Sequence, residues 1–429
     1  MTVSASGGIG AAPSLWRNRA AWLKAADIAV VLLAVALPWS TTFAAIFMAL
    51  WLVLLIPTAE RRDITNVLAR AACWVPILFV ALAAAGVFWA TDISWASRFH
   101  SLGQVAKLLA IPILILHFEK SGRGLWVGLG FLASCTVLML LSWLMFVDPR
   151  LAFDPVRPVG VPVKNYIAQS QEFALCAFAV LGVALYLIRK RQNVWASILM
   201  LLCVGFLANM VFVASSRTVL VCIPILFLLF AVVNFGRRGV FLIIVAVVAA
   251  GAVAWMSSPH LRDRASRVAT EYQEYQDSNA VTSTGQRLEF WRKSIRFMKE
   301  APLIGHGTGS VKALFERDAV GKTGVSAEII ANPHNQTFGA GVQWGVLGIA
   351  VLYAMWFTHL KLFARAAGLV GWVGLVAVAE NVVSSVFNSH LFDFAEGWIY
   401  VLAVGVAGGM MLHRRPTGLQ PATTYAGQV

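Results

Sequence analysis

Three segments of this chain carry side chains suited to holding an anion or moving a proton. Arg217 stands in Ser215-Ser216-Arg217-Thr218, a tight connection between two apolar stretches. A planar, permanently charged guanidinium suits a phosphate at headgroup level, and the neighbouring hydroxyls add donors. Arginines also snorkel from helix ends, so the position alone leaves both readings open. Arg287, in Thr284-Gly285-Gln286-Arg287, falls at an expected helix start. Backbone amides there favour anions, and a cation in the first turn opposes the dipole unless solvent or a bound anion offsets it. His334, in Ala331-Asn332-Pro333-His334-Asn335-Gln336, sits where a long polar stretch returns to apolar sequence. Its near-neutral pKa fits a base or a hydrogen-bond donor, although a lone histidine is commonly structural. Asn335 and Gln336 offer amides to sugar hydroxyls, and His390 in Phe387-Asn388-Ser389-His390 is a weaker second imidazole.

Other chemistry finds less support. Glu380 lies inside an apolar segment, with Asp393 and Glu396 near the next one. Carboxylates so placed are functional suspects, or structural partners for Arg217 or Lys107. There is no His-Glu-x-x-His, no Cys/His cluster and no phosphate-binding loop, so neither a metal nor ATP is expected and no cofactor is implied. Arg292, Lys293, Arg296 and Lys299 read as a solvated basic face. The five cysteines all lie in apolar stretches without a CxxC pair and read as small buried hydrophobes.

The elements that must position these residues cross a membrane. Hydrophobic residues make up 59% and charged residues 13%, against about a quarter charged in soluble domains. The net charge of +14 is spread between apolar segments, with no basic tail or recognition module for nucleic acid. It suits topology signals and membrane lipids instead. A spanning helix needs about 20 apolar residues. Twelve candidates follow, near 24–39, 41–57, 72–90, 101–117, 125–147, 167–188, 194–213, 218–234, 239–257, 338–359, 368–387 and 394–412. The first is read as a retained helix, and the first two, separated by Pro38-Trp39-Ser40, as a hairpin or one broken element.

Lysine and arginine set the orientation. With a cytoplasmic N-terminus, one side collects Arg17, Arg19, Lys24, Arg61, Arg62, Arg70, Lys120, Arg123, Arg189, Lys190, Arg191, Arg237, Arg238, Lys361, Arg365, Arg414 and Arg415. The other short loops and helix ends hold only Arg98, Lys107, Arg150, Arg157, Lys164 and Arg217. Both termini are therefore expected in the cytoplasm. The expected organisation is nine crossings in 1–257, an outer helical segment over 258–337, three crossings in 338–412 and a cytoplasmic tail, 413–429. The proline-rich stretch 148–166 should be extended. In the longer segment, Arg262 to Gln276 is helical in character, and a second helix should run from Gly285-Gln286 to Lys299. Ala301-Pro302 ends that helix, and Gly305-His306-Gly307-Thr308-Gly309 makes a turn.

The order of Ser215-Ser216-Arg217-Thr218, Gly285-Gln286-Arg287 with Trp291, Pro302-Leu303-Ile304-Gly305-His306-Gly307 and Pro333-His334-Asn335 resembles the O-antigen ligase and polymerase superfamily. The resemblance covers residues from about 205 to 350 and the hydropathy layout. It implies an all-α polytopic glycosyltransferase of GT-C-like architecture, with a helical periplasmic segment, in the bacterial inner membrane. It further implies metal-free transfer of O-antigen from undecaprenyl diphosphate to lipid A-core at the periplasmic face. Arg217 and Arg287 would then engage the donor diphosphate, and His334 the acceptor hydroxyl or the diphosphate. One dominant outer loop favours ligase over polymerase. A lipid-linked-glycan flippase or transporter is the lower-ranked alternative: it would need polar residues lining a path across the bilayer and matching halves, whereas here the polar candidates cluster at one face and no halves match.

Overall fold

The computed structural model describes residues 18–214, 216–365 and 368–413. Arg17, Ser215, Arg414 and Arg415 lie outside the described residues, as does the tail beyond His413. The described chain is helical, with no strand. The helices are α1 Arg19–Ala36, α2 Thr41–Leu55, α3 Arg61–Leu68, α4 Ala71–Gly86, α5 Trp95–Ala106, α6 Ala110–Ser121, α7 Leu125–Val147, α8 Tyr166–Arg189, α9 Asn193–Phe212, α10 Arg217–Asn234 and α11 Arg237–Ser257. They continue with α12 Pro259–Ser278, α13 Ser283–Glu300, α14 Ser310–Ala319, α15 Gln336–Ala364, α16 Leu369–Ser384 and α17 Phe394–Leu412.

A helix stands at each of the twelve positions expected to cross, yet among the described residues only 9 are long and apolar enough to do so. The bent pair α3–α4, angled at 90°, brings the number to at most 10. Two of the twelve expected positions fall short of that test by length or composition. Helix α1 carries Arg19, Lys24 and Asp27 within its 18 residues, and α16 has only 16 residues. The crossing expected at 101–117 is a composite of α5, a 3₁₀ turn at Lys107–Leu109 and α6. Pro112 lies three residues beyond that turn and cannot donate to the carbonyl one turn back. In the proline-rich stretch, only Pro149–Leu151 forms a 3₁₀ turn before α8 begins.

Polar residues before the apolar runs set the helix starts. The side chains of Ser216, Thr282 and Asn335 accept from the amides of Val219, Gly285 and Phe338, capping α10, α13 and α15. Such caps contribute about 1 kcal/mol each. They also fix where the candidate residues emerge: Arg217 opens α10, Arg287 lies in the second turn of α13, and His334 immediately precedes the α15 cap.

Most buried apolar residues form one core between the bundle helices. A smaller cluster of Phe290, Phe297, Val311, Leu314, Phe315 and Val342 joins α13 and α14 to α15. The glycine-rich turn docks this second unit onto the bundle. Thr308 Oγ1 donates to the Ala83 carbonyl at 2.5 Å and accepts from Trp344 Nε1 at 2.9 Å. Its amide reaches the Gly86 carbonyl at 3.0 Å. Gly307, at φ 89°, leaves no room for a side chain, since a Cβ would meet the Ala90 backbone at 2.6 Å. Opposite the turn, α15 breaks at Gly345 (φ 62°, ψ −154°), where the amides of Val346 and Leu347 turn to the carbonyls of Pro302 and Leu303.

Thr308→Val removes the hydroxyl from this junction and leaves the Trp344 indole N–H and one Ala83 lone pair without it. An unsatisfied buried group costs about 1–3 kcal/mol, so the detergent-solubilised variant should melt several degrees lower. An unchanged melting curve would show that the turn does not hold the two units together.

Candidate active site

Arg217 owes its position to Ser216, whose cap directs the chain into α10 with the guanidinium at its mouth. Both terminal nitrogens bind the Glu271 carboxylate, Nη1 to Oε2 at 2.9 Å and Nη2 to Oε1 at 2.7 Å. Nη1 also donates to Thr284 Oγ1 at 3.2 Å. Thr284 in turn gives Glu271 Oε2 its amide at 2.9 Å and its hydroxyl at 2.5 Å. The Arg217 hydrogen bonds hold the Glu271 carboxyl down to about 2, with Thr284 adding to the effect against the opposing pull of burial. The Arg217 Nε is buried and has no partner among the described residues. Sequence reasoning passed over Glu271, which lies in charged, surface-lying α12; nothing local distinguishes it from Glu274 or Asp277.

Arg287 contrasts with Arg217. It is half-buried and forms no hydrogen bond or ion pair among the described residues. Burial, and then the like charge of Arg217, lower its pKa. Glu271 and Tyr166 act on it only through space, so two guanidiniums share the field of one carboxylate. Tyr166, first residue of α8, interacts electrostatically with both arginines. On the expected solvated basic face of α13, Arg292, Arg296 and Lys299 are exposed, and Lys293 is the exception. Lys293 is buried and reaches the Ser326 carbonyl at 2.6 Å and Asp318 at 2.9 Å. Arg296 joins it on Asp318, and Arg292 binds Glu289 at 2.7 Å.

His334 is held from three sides. Its backbone is left-handed at φ 52°, with its amide donating to Asn332 Oδ1 at 2.9 Å and its carbonyl accepting from Trp291 Nε1 at 3.4 Å. The ring stacks on Phe290, centroids 6.1 Å apart. Its Nδ1 lies 3.2 Å from Asn388 Oδ1, while Asn388 Nδ2 faces Thr218 Oγ1 and His390 Nε2, each at 3.4 Å. His390 Nδ1 lies 3.5 Å from Asp393 Oδ2. The directions are mutually consistent when Nδ1 of each histidine carries the proton, which leaves the His334 Nε2 lone pair available. Burial, followed by the nearby Arg287, lowers the His334 pKa against the Asn388 hydrogen bond, so the imidazole is neutral at pH 7.

The structure therefore brings Arg217, Arg287 and His334 to one place, with Asn388 bridging His334 to the start of α10. Asn388 was quoted in the sequence only as a neighbour of His390, and the signal for it would have been its place in the same outer loop. Asn335 and Gln336 are engaged by the chain. Asn335 caps α15 and donates to the Val386 carbonyl at 2.9 Å, and fully buried Gln336 accepts from the Leu391 amide at 3.0 Å. Glu380 stays buried away from both Arg217 and Lys107. Lys107 donates to the backbone carbonyls of Phe392 and Asp393.

Among the described residues, His390, Asp393 and Glu396 place one potential metal-ligand atom each within 4.8 Å of one another. Lys107 interacts electrostatically with both carboxylates, so a cation already stands beside them.

Helices long and apolar enough to cross a bilayer define a polytopic membrane protein, with two arginines and a histidine gathered at one place. Residues 202–353 match the family model described as O-antigen ligase, a stretch that contains all three residues. Over that stretch, about a third of its length, the chain is similar to this family. An uncharacterized protein of Haemophilus influenzae is 23% identical over 142 residues, 32% of this chain. The chain covers only 36% of that relative's length.

Because the folded Glu271 carboxyl is depressed from its ordinary value to about 2, its pairing stabilises α12 above the ordinary value of 4.5 and is lost as pH falls towards 2. Protection of α12 amides from hydrogen exchange should decline across that window. Glu271→Gln should lack this component, and a flat wild-type profile would show that the pair does not hold α12.

Proposed function

We propose that this chain is an O-antigen ligase. It transfers O-antigen polysaccharide from undecaprenyl diphosphate to a sugar hydroxyl of lipid A-core, at the periplasmic face of the inner membrane, by metal-independent inverting glycosyl transfer. The observation that carries the reading is the arginine pair beside neutral His334, inside the segment that matches the family. In this reading Arg217 and Arg287 bind the diphosphate and stabilise the charge that grows on it as the anomeric carbon–oxygen bond breaks. The acceptor hydroxyl oxygen attacks the opposite face of that carbon. Its proton passes to His334 Nε2, whose Nδ1–H is held by Asn388. Diphosphate is a good leaving group, so clamping and orientation supply much of the rate, and His334 contributes either as a base or as a binder.

The single long segment between α11 and α15 supports ligase over polymerase. A polymerase would lengthen the lipid-linked glycan without lipid A-core.

Purified protein given lipid-linked glycan and lipid A-core should form the joined product at an undiminished rate in excess chelator. Arg217→Ala and Arg287→Ala should each lower the rate about 100-fold or more, on the scale of a lost electrostatic donor. His334→Ala should cost about 10²–10⁴-fold if the imidazole moves the proton, and less if it only binds. Full activity in all three folded variants would remove the site assignment. His334 must be neutral to accept a proton, and its pKa is lowered from 6.5; the acid limb of the rate profile should therefore lie below pH 6.5 in wild type. A limb at or above 6.5 would exclude His334 as the base.

A further inference from the structure

Glu271 sits as a bound anion would sit. Its two oxygens take the fork of Arg217 at 2.7 and 2.9 Å, and one of them also takes the Thr284 amide and hydroxyl at the first turn of α13. This is the donor set of an oxyanion seat: a guanidinium fork, a backbone N–H at a helix start and a hydroxyl. Beside it, Arg287 has no hydrogen-bonding or ion-pair partner among the described residues, and the buried Arg217 Nε is unsatisfied. One carboxylate, carrying one charge, therefore occupies a site whose two guanidiniums carry two. The helix that delivers it is lightly held. None of the described side chains of α12 is fully buried. Beyond the Glu271 contacts, it is tied to α13 by Tyr275 Oη donating to Glu289 at 3.1 Å and by Thr282 Oγ1 donating to the Glu271 carbonyl at 3.0 Å.

We propose that the Arg217–Thr284 seat is the binding site for one phosphoryl group of a diphosphate, and that Glu271 is its built-in substitute ligand, displaced when the diphosphate arrives. The inference rests on the diphosphate reading above and adds the seat, its occupant and the part that moves. A phosphoryl group brings more charge and more acceptor oxygens than a carboxylate, and it can engage Arg287 while taking over the fork and the Thr284 donors. The displaced carboxylate cannot stay beside the diphosphate without like-charge repulsion, so the Glu271 turn of α12 swings outward. Between substrates Glu271 keeps Arg217 extended and part of the site neutral. The consequence for affinity is fixed by linkage. Binding is weakened by the fraction of time the seat is closed, and abolishing the occupant restores it.

The test is titration of the full-length protein, in phosphatidylcholine nanodiscs, with inorganic pyrophosphate and separately with lipid-linked diphosphate. Glu271→Gln should bind pyrophosphate about tenfold more tightly than wild type, the size expected if the seat is closed about nine-tenths of the time. Glu271→Asp, which keeps the charge on a shorter side chain, should gain less. Arg217→Ala combined with Glu271→Gln should lose the gain. Folded Glu271→Gln and Glu271→Asp that bind pyrophosphate no more tightly than wild type would overturn the proposal. Should Glu271→Gln fail to fold, Glu271→Asp alone decides by the same criterion. Nanodiscs containing phosphatidylglycerol separate the two sources of phosphate: suppression of pyrophosphate binding there would reassign the seat to a lipid headgroup. Tighter pyrophosphate binding without any glycan transfer would overturn the ligase reading while leaving the seat in place.

Discussion

Positive charge held at the edge of an apolar bundle is the constraint on which the site depends. A guanidinium at a helix mouth cannot retreat into the apolar layer and is held poorly by nearby apolar side chains alone. Arg217 meets that demand by a bidentate bond to Glu271, a residue 54 positions away in the chain. The pair thereby joins α10 of the bundle to α12, and through Thr284 to α13. Beside it a second arginine, Arg287, has no hydrogen bond or ion pair among the described residues and feels Glu271 only through space. The asymmetry between them is what the proposed diphosphate site rests on.

The bundle and the interspan unit could not hold this geometry if they moved independently. Two different junctions prevent it. On one side the glycine-rich turn enters between the end of α4 and the break in α15, with Thr308 bonded to both. On the other, Asn388 links the loop before α17 to Thr218 of α10 and to the His334 ring. His334 is therefore fixed relative to the same α10 turn that carries Arg217. A neutral imidazole beside an unpaired guanidinium follows from that placement, because desolvation and the cation both disfavour a second positive charge.

Much of this was legible in the sequence, and the exceptions share a physical cause. Apolar runs mark helices wherever the bilayer or the core demands them, and Arg217, Arg287 and His334 stood out because each interrupts a pattern. The start of α13 at Ser283 lies two residues before the expected Gly285, within the usual uncertainty of a helix end. Glu271 was not legible, since its meaning comes from a partner across a tertiary contact and α12 is rich in similar charges. Asn388 was hidden for the same reason. The break at Gly345 was hidden differently: a glycine in an apolar run reads as a tolerated helical residue, and only the Leu303 backbone packed against it explains its φ. Hydropathy marks twelve helices, while among the described residues 9, or up to 10 with the bent pair, have the length and composition to cross, because α1 carries its charges inside the helix and α16 has only 16 residues.

The two amides next to His334 show how far a motif can be read. Asn335 and Gln336 have the right chemistry for sugar hydroxyls, yet the fold spends Asn335 on capping α15 and buries Gln336 against the Leu391 amide. A chain re-entering a bundle leaves the first amides of its helix unpaired, and the nearest polar side chains satisfy them first. Polar residues clustered at such a point therefore divide between building the turn and serving the site. His334 falls on the serving side because Pro333 and the left-handed backbone turn its ring away from the helix and onto Phe290. The segment acts as a mount for one imidazole, whose charge state is set by its burial and by Arg287 of α13.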